Sequence, residues 1–128
     1  MGEKSIKVVK ALIKKSGTYL FLQRAPTSKF FPGLWDFPGG KVKQHEDINE
    51  ALVREVQEET SLHIEPENKV ADILLTEEGN KIHFLVFSTK PYKGKVMLSA
   101  DHTDSQWLSR KDIAKYRLAP VVKHFFEL

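Results

Sequence analysis

Residues 40–62 read GKVKQHEDINEALVREVQEETSL, and their spacing decides the fold. The run from Glu46 to Thr60 has no proline or glycine and is rich in helix formers, so a helix is predicted over 46–60. On that helix Glu55, Glu58 and Glu59 stand at i, i+3 and i+4. At about 100° per residue they share an arc of roughly 100°. Leu52, Val53 and Val56 occupy an adjacent arc that can face a core. Like charges on an exposed face repel by about 0.3 kcal/mol per i,i+4 pair. In a cavity that repulsion grows, and a divalent cation with oxygen ligands relieves it. A bare EVQEE string favours a solvated acidic face, because Glu is a good helix former.

Working outward, KSIKVVKALIK (4–14) mixes β-branched residues with lysines and reads as a strand. Ser16-Gly17 is a turn signal, and TYLFLQR (18–24) is a second strand that closes a hairpin. Residues 25–40, rich in Pro, Gly and aromatics, read as a long ordered loop. Two further runs, 69–76 and 81–90, flank Gly79-Asn80 and form a second hairpin. Residues 103–108 make a short strand. Ser109 is a predicted N-cap, with Asp112 in the place of a capping-box acid. Pro120 opens a last helix at its N1 position, with Val121, Val122, Phe125 and Phe126 available to the core. This order points to an α+β or layered α/β/α chain with a single domain over 1–128.

With 128 residues the chain can bury one core of ordinary size. It has no cysteine, which excludes disulfides, thiolate zinc sites and thiol nucleophiles and fits an intracellular setting. The opening MGEKSIKVV lacks an apolar run, so no secretory signal is expected. No segment approaches the roughly 20 apolar residues of a membrane span. A cytoplasmic protein without a membrane partner is the expectation. The net charge of +3 is compatible with a phosphate-rich ligand but too small to indicate a stable nucleic-acid complex. Oligomeric state is open between monomer and homodimer.

The segment 40–62 resembles the Nudix box, Gly-x5-Glu-x7-Arg-Glu-U-x-Glu-Glu-x-Gly-U, where U is bulky and apolar. Gly40, Glu46, Arg54, Glu55, Val56, Glu58, Glu59 and Leu62 match, and Ser61 stands in place of the second glycine. Six identities, each about 1 in 15 by composition, arise by chance on the order of once in 10⁷ placements. The preceding GLWDFPGGK (33–41) also resembles the family's loop before the box. The resemblance implies an α/β/α sandwich around a mixed sheet. It implies that Glu55, Glu58 and Glu59 bind magnesium, with manganese as a possible substitute and the Gly39 carbonyl as a further ligand. Arg54 would hold the glutamates and Glu46 would pair within the box, while Gly40 serves its backbone. The implied reaction is attack by water on a phosphorus of a nucleoside diphosphate linked to another group. Divalent ions would offset the charge of the pyrophosphate and acidify the water. Either Glu55 or Asp101, six residues before Trp107, would be the general base. Ser61 would meet a left-handed backbone, at a cost of about 1 kcal/mol.

Family subgroups differ beyond the box. ADP-ribose hydrolases often carry a proline about 15 residues on, and none lies between Pro66 and Pro91. Dinucleoside polyphosphate hydrolases often carry a tyrosine there, and none lies between Tyr19 and Tyr92. By elimination and length, the chain is most similar to MutT-like nucleoside triphosphate pyrophosphohydrolases, which release a monophosphate and pyrophosphate. Arg24 and Lys41 are then candidate phosphate contacts, and Phe37, Phe84 and Phe87 candidate base contacts. Phe84 and Phe87 read equally as core residues within HFLVF. MutT reads oxidised guanine with an asparagine just before the last helix. Here Leu118 or Ala119 of RLAPVV takes that place, and a similar LAP occurs in members acting on cytidine nucleotides. Oxidised purine and pyrimidine triphosphates both stay open. Hydrolysis of ADP-ribose or a nucleotide sugar is an alternative. A non-catalytic nucleotide-binding module is another, since DNA-repair glycosylases carry a domain with a similar GLWDFPGG.

Overall fold

The computed structural model describes residues 5–128, so Lys4, where the first predicted strand begins, lies outside the described residues. Strand β1 (Ser5–Leu12) runs parallel to β7 (Asn80–Thr89) on one edge and antiparallel to β5 (Gly39–Lys41) on the other. Strand β6 (Pro66–Glu77) pairs antiparallel with β7 and completes a mixed sheet in the order β5-β1-β7-β6. A second sheet is built on β3 (Thr18–Arg24). It pairs with β8 (His102–Leu108) on one edge and with the short β2 (Lys14–Lys15) and β4 (Trp35–Asp36) on the other.

The predicted first hairpin therefore survives only as two residue pairs, Lys14–Tyr19 and Lys15–Thr18. Both edges of β1 are taken by β5 and β7, so β3 cannot pair along it. The residues expected to form one long loop, 25–40, contain β4 and the start of β5. The second hairpin forms as predicted, but its turn residues are Glu78 and Gly79, with φ of 50° and 77°. Positive φ at both positions matches the twist of the flanking strands.

Alternation along the strands sorts the core into two layers. Val9, Ala11 and Ile13 pack with Leu20, Leu22 and Leu85 against helix α1 (Ile48–Thr60). Val8, Leu12, Phe21, Phe84 and Val86 face the other side, against α3 (Pro120–Phe126) and Ile113 of α2 (Arg110–Ile113). Each layer draws on both sheets, which gives the expected α/β/α arrangement. Ser109 caps α2 through the Asp112 N–H, and Pro120 sits in the first turn of α3. Val121, Val122 and Phe126 are buried there, and Phe125 is partly so. Among the described residues no helix is long and apolar enough to cross a membrane.

Helix α1 begins two residues later than predicted. Asp47 caps it, accepting from the N–H groups of Asn49 at 3.0 Å and Glu50 at 3.2 Å. Glu46 is thereby left outside the helix, free to reach across to it. The buried stripe is Ala51, Leu52, Val56, Glu59 and Thr60, and Val53 is only half-buried. Ser61 ends the helix at φ 66°, in the left-handed region, and its N–H bonds the Gln57 carbonyl at 2.9 Å. Its hydroxyl donates to the Met97 carbonyl at 3.3 Å on an exposed surface. Relief of left-handed strain outweighs glycine's extra unfolded-state freedom here. A Ser61→Gly protein is expected to gain about 0.5–1 kcal/mol. Denaturant unfolding at unchanged slope would show it, and a lower midpoint would refute the strain.

Candidate active site

Arg54 organises the acidic side of α1. Its Nε and Nη2 donate to the two Glu46 oxygens at 2.7 and 2.9 Å. Nη1 donates to Glu55 Oε1 at 2.9 Å and Glu58 Oε2 at 3.2 Å, and Nη2 also reaches the Lys41 carbonyl at 3.2 Å. A guanidinium has five N–H donors in a rigid fork, and all five are matched. The Arg54 hydrogen bond, helped by the Lys43 N–H, lowers the Glu46 carboxyl from 4.5 to about 2.

The three glutamates do not form one uniform face. Glu58 is exposed, Glu55 is half-buried, and Glu59 is 9% exposed within the core stripe. The 100° arc runs from solvent into the interior. Among the described residues no three His, Asp or Glu side chains are gathered as a ready metal cluster. Glu55 and Glu58 are each engaged by Arg54, and Glu59 Oε1 accepts the Gly39 N–H at 2.9 Å. Burial pushes the Glu59 carboxyl from 4.5 up to about 8, against the pull of Lys10 and the Gly39 N–H. Glu55 and Asp36 add to the rise. A hard, all-oxygen donor set around an under-compensated buried acid fits a divalent cation.

Glycine is required twice in β5. A Cβ on Gly39, at φ 143°, would lie 2.0 Å from the Val9 carbonyl oxygen. A Cβ on Gly40 would lie 2.3 Å from Glu55 Oε2, so a side chain there displaces that carboxylate.

Two cavities meet beside this strand. One gathers Gly39, Glu59, Asp101 and His102 with Arg24, Gly40 and Lys41. The other is walled by Val8, Phe30, Phe31 and Phe84 around Lys10 and Asp36, and it shares Arg24, Gly40 and Lys41. Lys41 Nζ lies 5.4 Å from the Phe30 ring centre, at their junction. Asp101 is exposed, and its carbonyl accepts the Ala25 N–H at 3.0 Å. The loop before it is tied to the end of α1 by Met97 N–H to the Thr60 carbonyl and Ser99 N–H to the Glu59 carbonyl. Glu58 lies outside both cavities, on the outer face of the helix with Arg54.

Other candidates are placed differently from expectation. Phe37 is 1% exposed and stacks on Phe21, so its ring belongs to the core and offers no face to a base. Phe87 packs on the α1 side, away from Phe84. Leu118 and Ala119 are buried, their backbone bridged to Trp35. Arg24 lines both cavities, yet its Nε donates to the Phe30 carbonyl at 2.7 Å and its Nη2 to Ser28 Oγ at 2.7 Å. It anchors the 25–34 segment as well as facing the site.

Sequence reasoning missed Lys10, Asp36 and His102. Lys10 and Asp36 form a buried ion pair at 3.0 Å. The signal was present: Lys10 shares a strand face with Ile6, Val8 and Leu12. His102 is buried, with an Nδ1 that has no partner among the described residues, and burial lowers its imidazole from 6.5 to about 4. Only its position beside Asp101 could have marked it.

The Glu46 shift gives a signed expectation. A depressed carboxyl contributes stability that is present above 4.5 and lost as pH falls toward about 2. Glu46→Gln should therefore unfold more easily than the parent at about neutral pH, with the gap closing below about pH 3. A gap that persists at low pH would locate the loss elsewhere. Arg54→Lys, which cannot fork, should lower turnover about 10–100-fold.

The chain matches the NUDIX domain family over residues 4–128. It is 34% identical over 117 residues to a CTP pyrophosphohydrolase of Escherichia coli, covering 91% of this chain and 85% of that protein. It is 29% identical to the nucleoside triphosphatase NudI of Escherichia fergusonii, covering 87% and 86%. A crystal structure of a MutT protein from Methanosarcina mazei superposes with a TM-score of 0.91 at 31% identity, covering 99% and 94%. Nudix hydrolases use divalent metal ions, and an intact run of box carboxylates around Arg54 is in keeping with that chemistry. On the family match and the shared fold, this chain belongs to the Nudix family and is a hydrolase of phosphoric anhydride bonds.

Proposed function

We propose that the protein hydrolyses a nucleoside triphosphate to the monophosphate and pyrophosphate, with magnesium as its ion and manganese as a substitute. The observation that carries this reading is the pair of joined cavities. One is acidic and basic by turns, as a metal-bound polyphosphate needs, and the other has the aromatic walls that suit a base. The relatives named for CTP and nucleoside triphosphates support the same class.

In this reading Glu55, Glu58, Glu59 and the Gly39 carbonyl hold the ion, which offsets phosphate charge and acidifies water. Arg54 fixes the direction of Glu55 and Glu58, and Lys41 and Arg24 face the phosphates. Water attacks one phosphorus flanking the α–β bridge and the bridging P–O bond breaks. Attack at the α phosphorus expels pyrophosphate, attack at the β phosphorus expels the monophosphate, and the attacked group keeps the water oxygen in either case. Asp101 takes the proton from the attacking water. Asp101 is an exposed residue lining the Glu59 cavity, whereas Glu55 is engaged by Arg54.

A panel of canonical and oxidised nucleoside triphosphates, ADP-ribose and dinucleoside polyphosphates, each with magnesium and with manganese, tests the proposal. Pyrophosphate release from a triphosphate is expected. AMP and ribose phosphate as the chief products would replace this reading with an ADP-ribose hydrolase. Glu58→Gln and Glu59→Gln should each remove most turnover, and unchanged rates in both would end the metal assignment. Asp101→Asn should lower kcat far more than it changes KM.

A further inference from the structure

The pair Lys10–Asp36 is buried at the base-side cavity, each side chain only 3% exposed. Two ions so deeply placed each carry a large desolvation penalty. Their geometry is only partly self-contained. Lys10 Nζ donates to Asp36 Oδ2 at 3.0 Å and, more weakly, to the Phe37 carbonyl at 3.4 Å. An ammonium has three N–H donors, so one has no acceptor among these bonds. Asp36 is engaged at both oxygens. Its Oδ1 accepts the Phe37 N–H at 2.8 Å, and its Oδ2 faces Lys10 and, at 3.6 Å, Arg24 Nη1. Lys10 thus brings an unused N–H donor to this aromatic cavity.

We propose that Lys10 is a specificity-determining residue that donates to an exocyclic carbonyl oxygen of the nucleobase. This rests on the nucleotide reading above and deepens it. Phe30, Phe31 and Phe84 accept the face of any base. They cannot discriminate by hydrogen bonding. Arg24 and Lys41, shared with the other cavity, face the phosphates in the proposed reading, which leaves Lys10 as the charged donor for the base. A base that presents a carbonyl satisfies the spare N–H. Adenine, whose only exocyclic group is an amine, turns donor toward donor and leaves that third N–H desolvated without a partner. Guanine, hypoxanthine, uracil and cytosine all carry such an oxygen. Asp36 is the positioning residue, holding the ammonium against the cavity wall.

Inosine and adenosine triphosphates probe the contact, because the two purines differ only at C6, carbonyl against amine, and in the proton on the adjacent N1. The parent protein should favour the inosine substrate in kcat/KM by at least about 10-fold. Lys10→Met should bring that ratio close to one, whereas an overall loss shared by both substrates would mark a purely structural pair and overturn the proposal. Removing one partner of a buried pair can unfold a protein, so Lys10→Met/Asp36→Asn, which removes both charges of the pair together, provides the second variant. Its ratio should also fall to about one, and a ratio equal to the parent's would overturn the assignment. Binding of inosine and adenosine monophosphates, measured by calorimetry, separates this inference from the proposed function. A protein that hydrolyses neither triphosphate but binds the inosine product more tightly, in a Lys10-dependent way, loses the reaction and keeps the base contact. Equal binding of both monophosphates refutes the base contact even if hydrolysis is confirmed.

Discussion

The five-way engagement of Arg54 is the interaction on which the rest of the site depends. One guanidinium receives Glu46 from the segment before the helix, Lys41 from β5, and Glu55 and Glu58 from the helix itself. No other side chain has the fork to serve all four, since lysine offers three donors from a single point. With one donor left unmatched, the repulsion among the carboxylates would no longer be balanced. The late start of α1 belongs to the same arrangement. Because Asp47 caps the helix, Glu46 is outside it and can turn back to Arg54.

A second constraint is the close approach of β5 to its neighbours. Gly39 lies against the backbone of β1, and Gly40 against the Glu55 carboxylate. This closeness lets the Gly39 N–H meet Glu59 and sets Gly39 opposite Lys10 in the strand ladder. Backbone geometry and charge are therefore coupled: the register that admits Lys10 to the interior also delivers its field to Glu59.

Much of this was legible in the order of residues, and the remainder was not for identifiable reasons. The 3.6-residue rhythm gave α1, and alternation with a turn signal gave the β6–β7 hairpin. The left-handed end at Ser61 followed from helix termination. The split of the first hairpin was hidden because nothing in residues 5–24 tells which strand edge a distant Gly39–Lys41 or Asn80–Thr89 will occupy. Strands β4 and β5 were hidden because short, glycine-rich pairing segments look like loop. For the site, spacing named the box carboxylates but not their unequal burial, which depends on where the core lies. Phe37 shows the reverse error, since an aromatic residue near a motif carries no mark of which way its ring points. Lys10 was readable as a break in an apolar face, but only once β1 was known to be covered on both sides.

Glu59 shows most clearly what the fold gives up for this site. Leu52, Val56 and Glu59 recur at the i, i+4, i+7 positions of one buried stripe. An apolar residue in the third place would extend the core and remove an acid that burial pushes up to about 8. The nearby charges do not cancel it. Lys10 is already paired with Asp36, so its single positive charge is shared between two carboxylates. The Gly39 N–H adds a dipole, not a charge. The interior is thus left with an acid lacking a full counter-charge, at the one helical position that borders both the core and the Asp101 cavity. Packing alone gives no reason to keep a carboxylate there, whereas a site that must attract a cation gives a direct one.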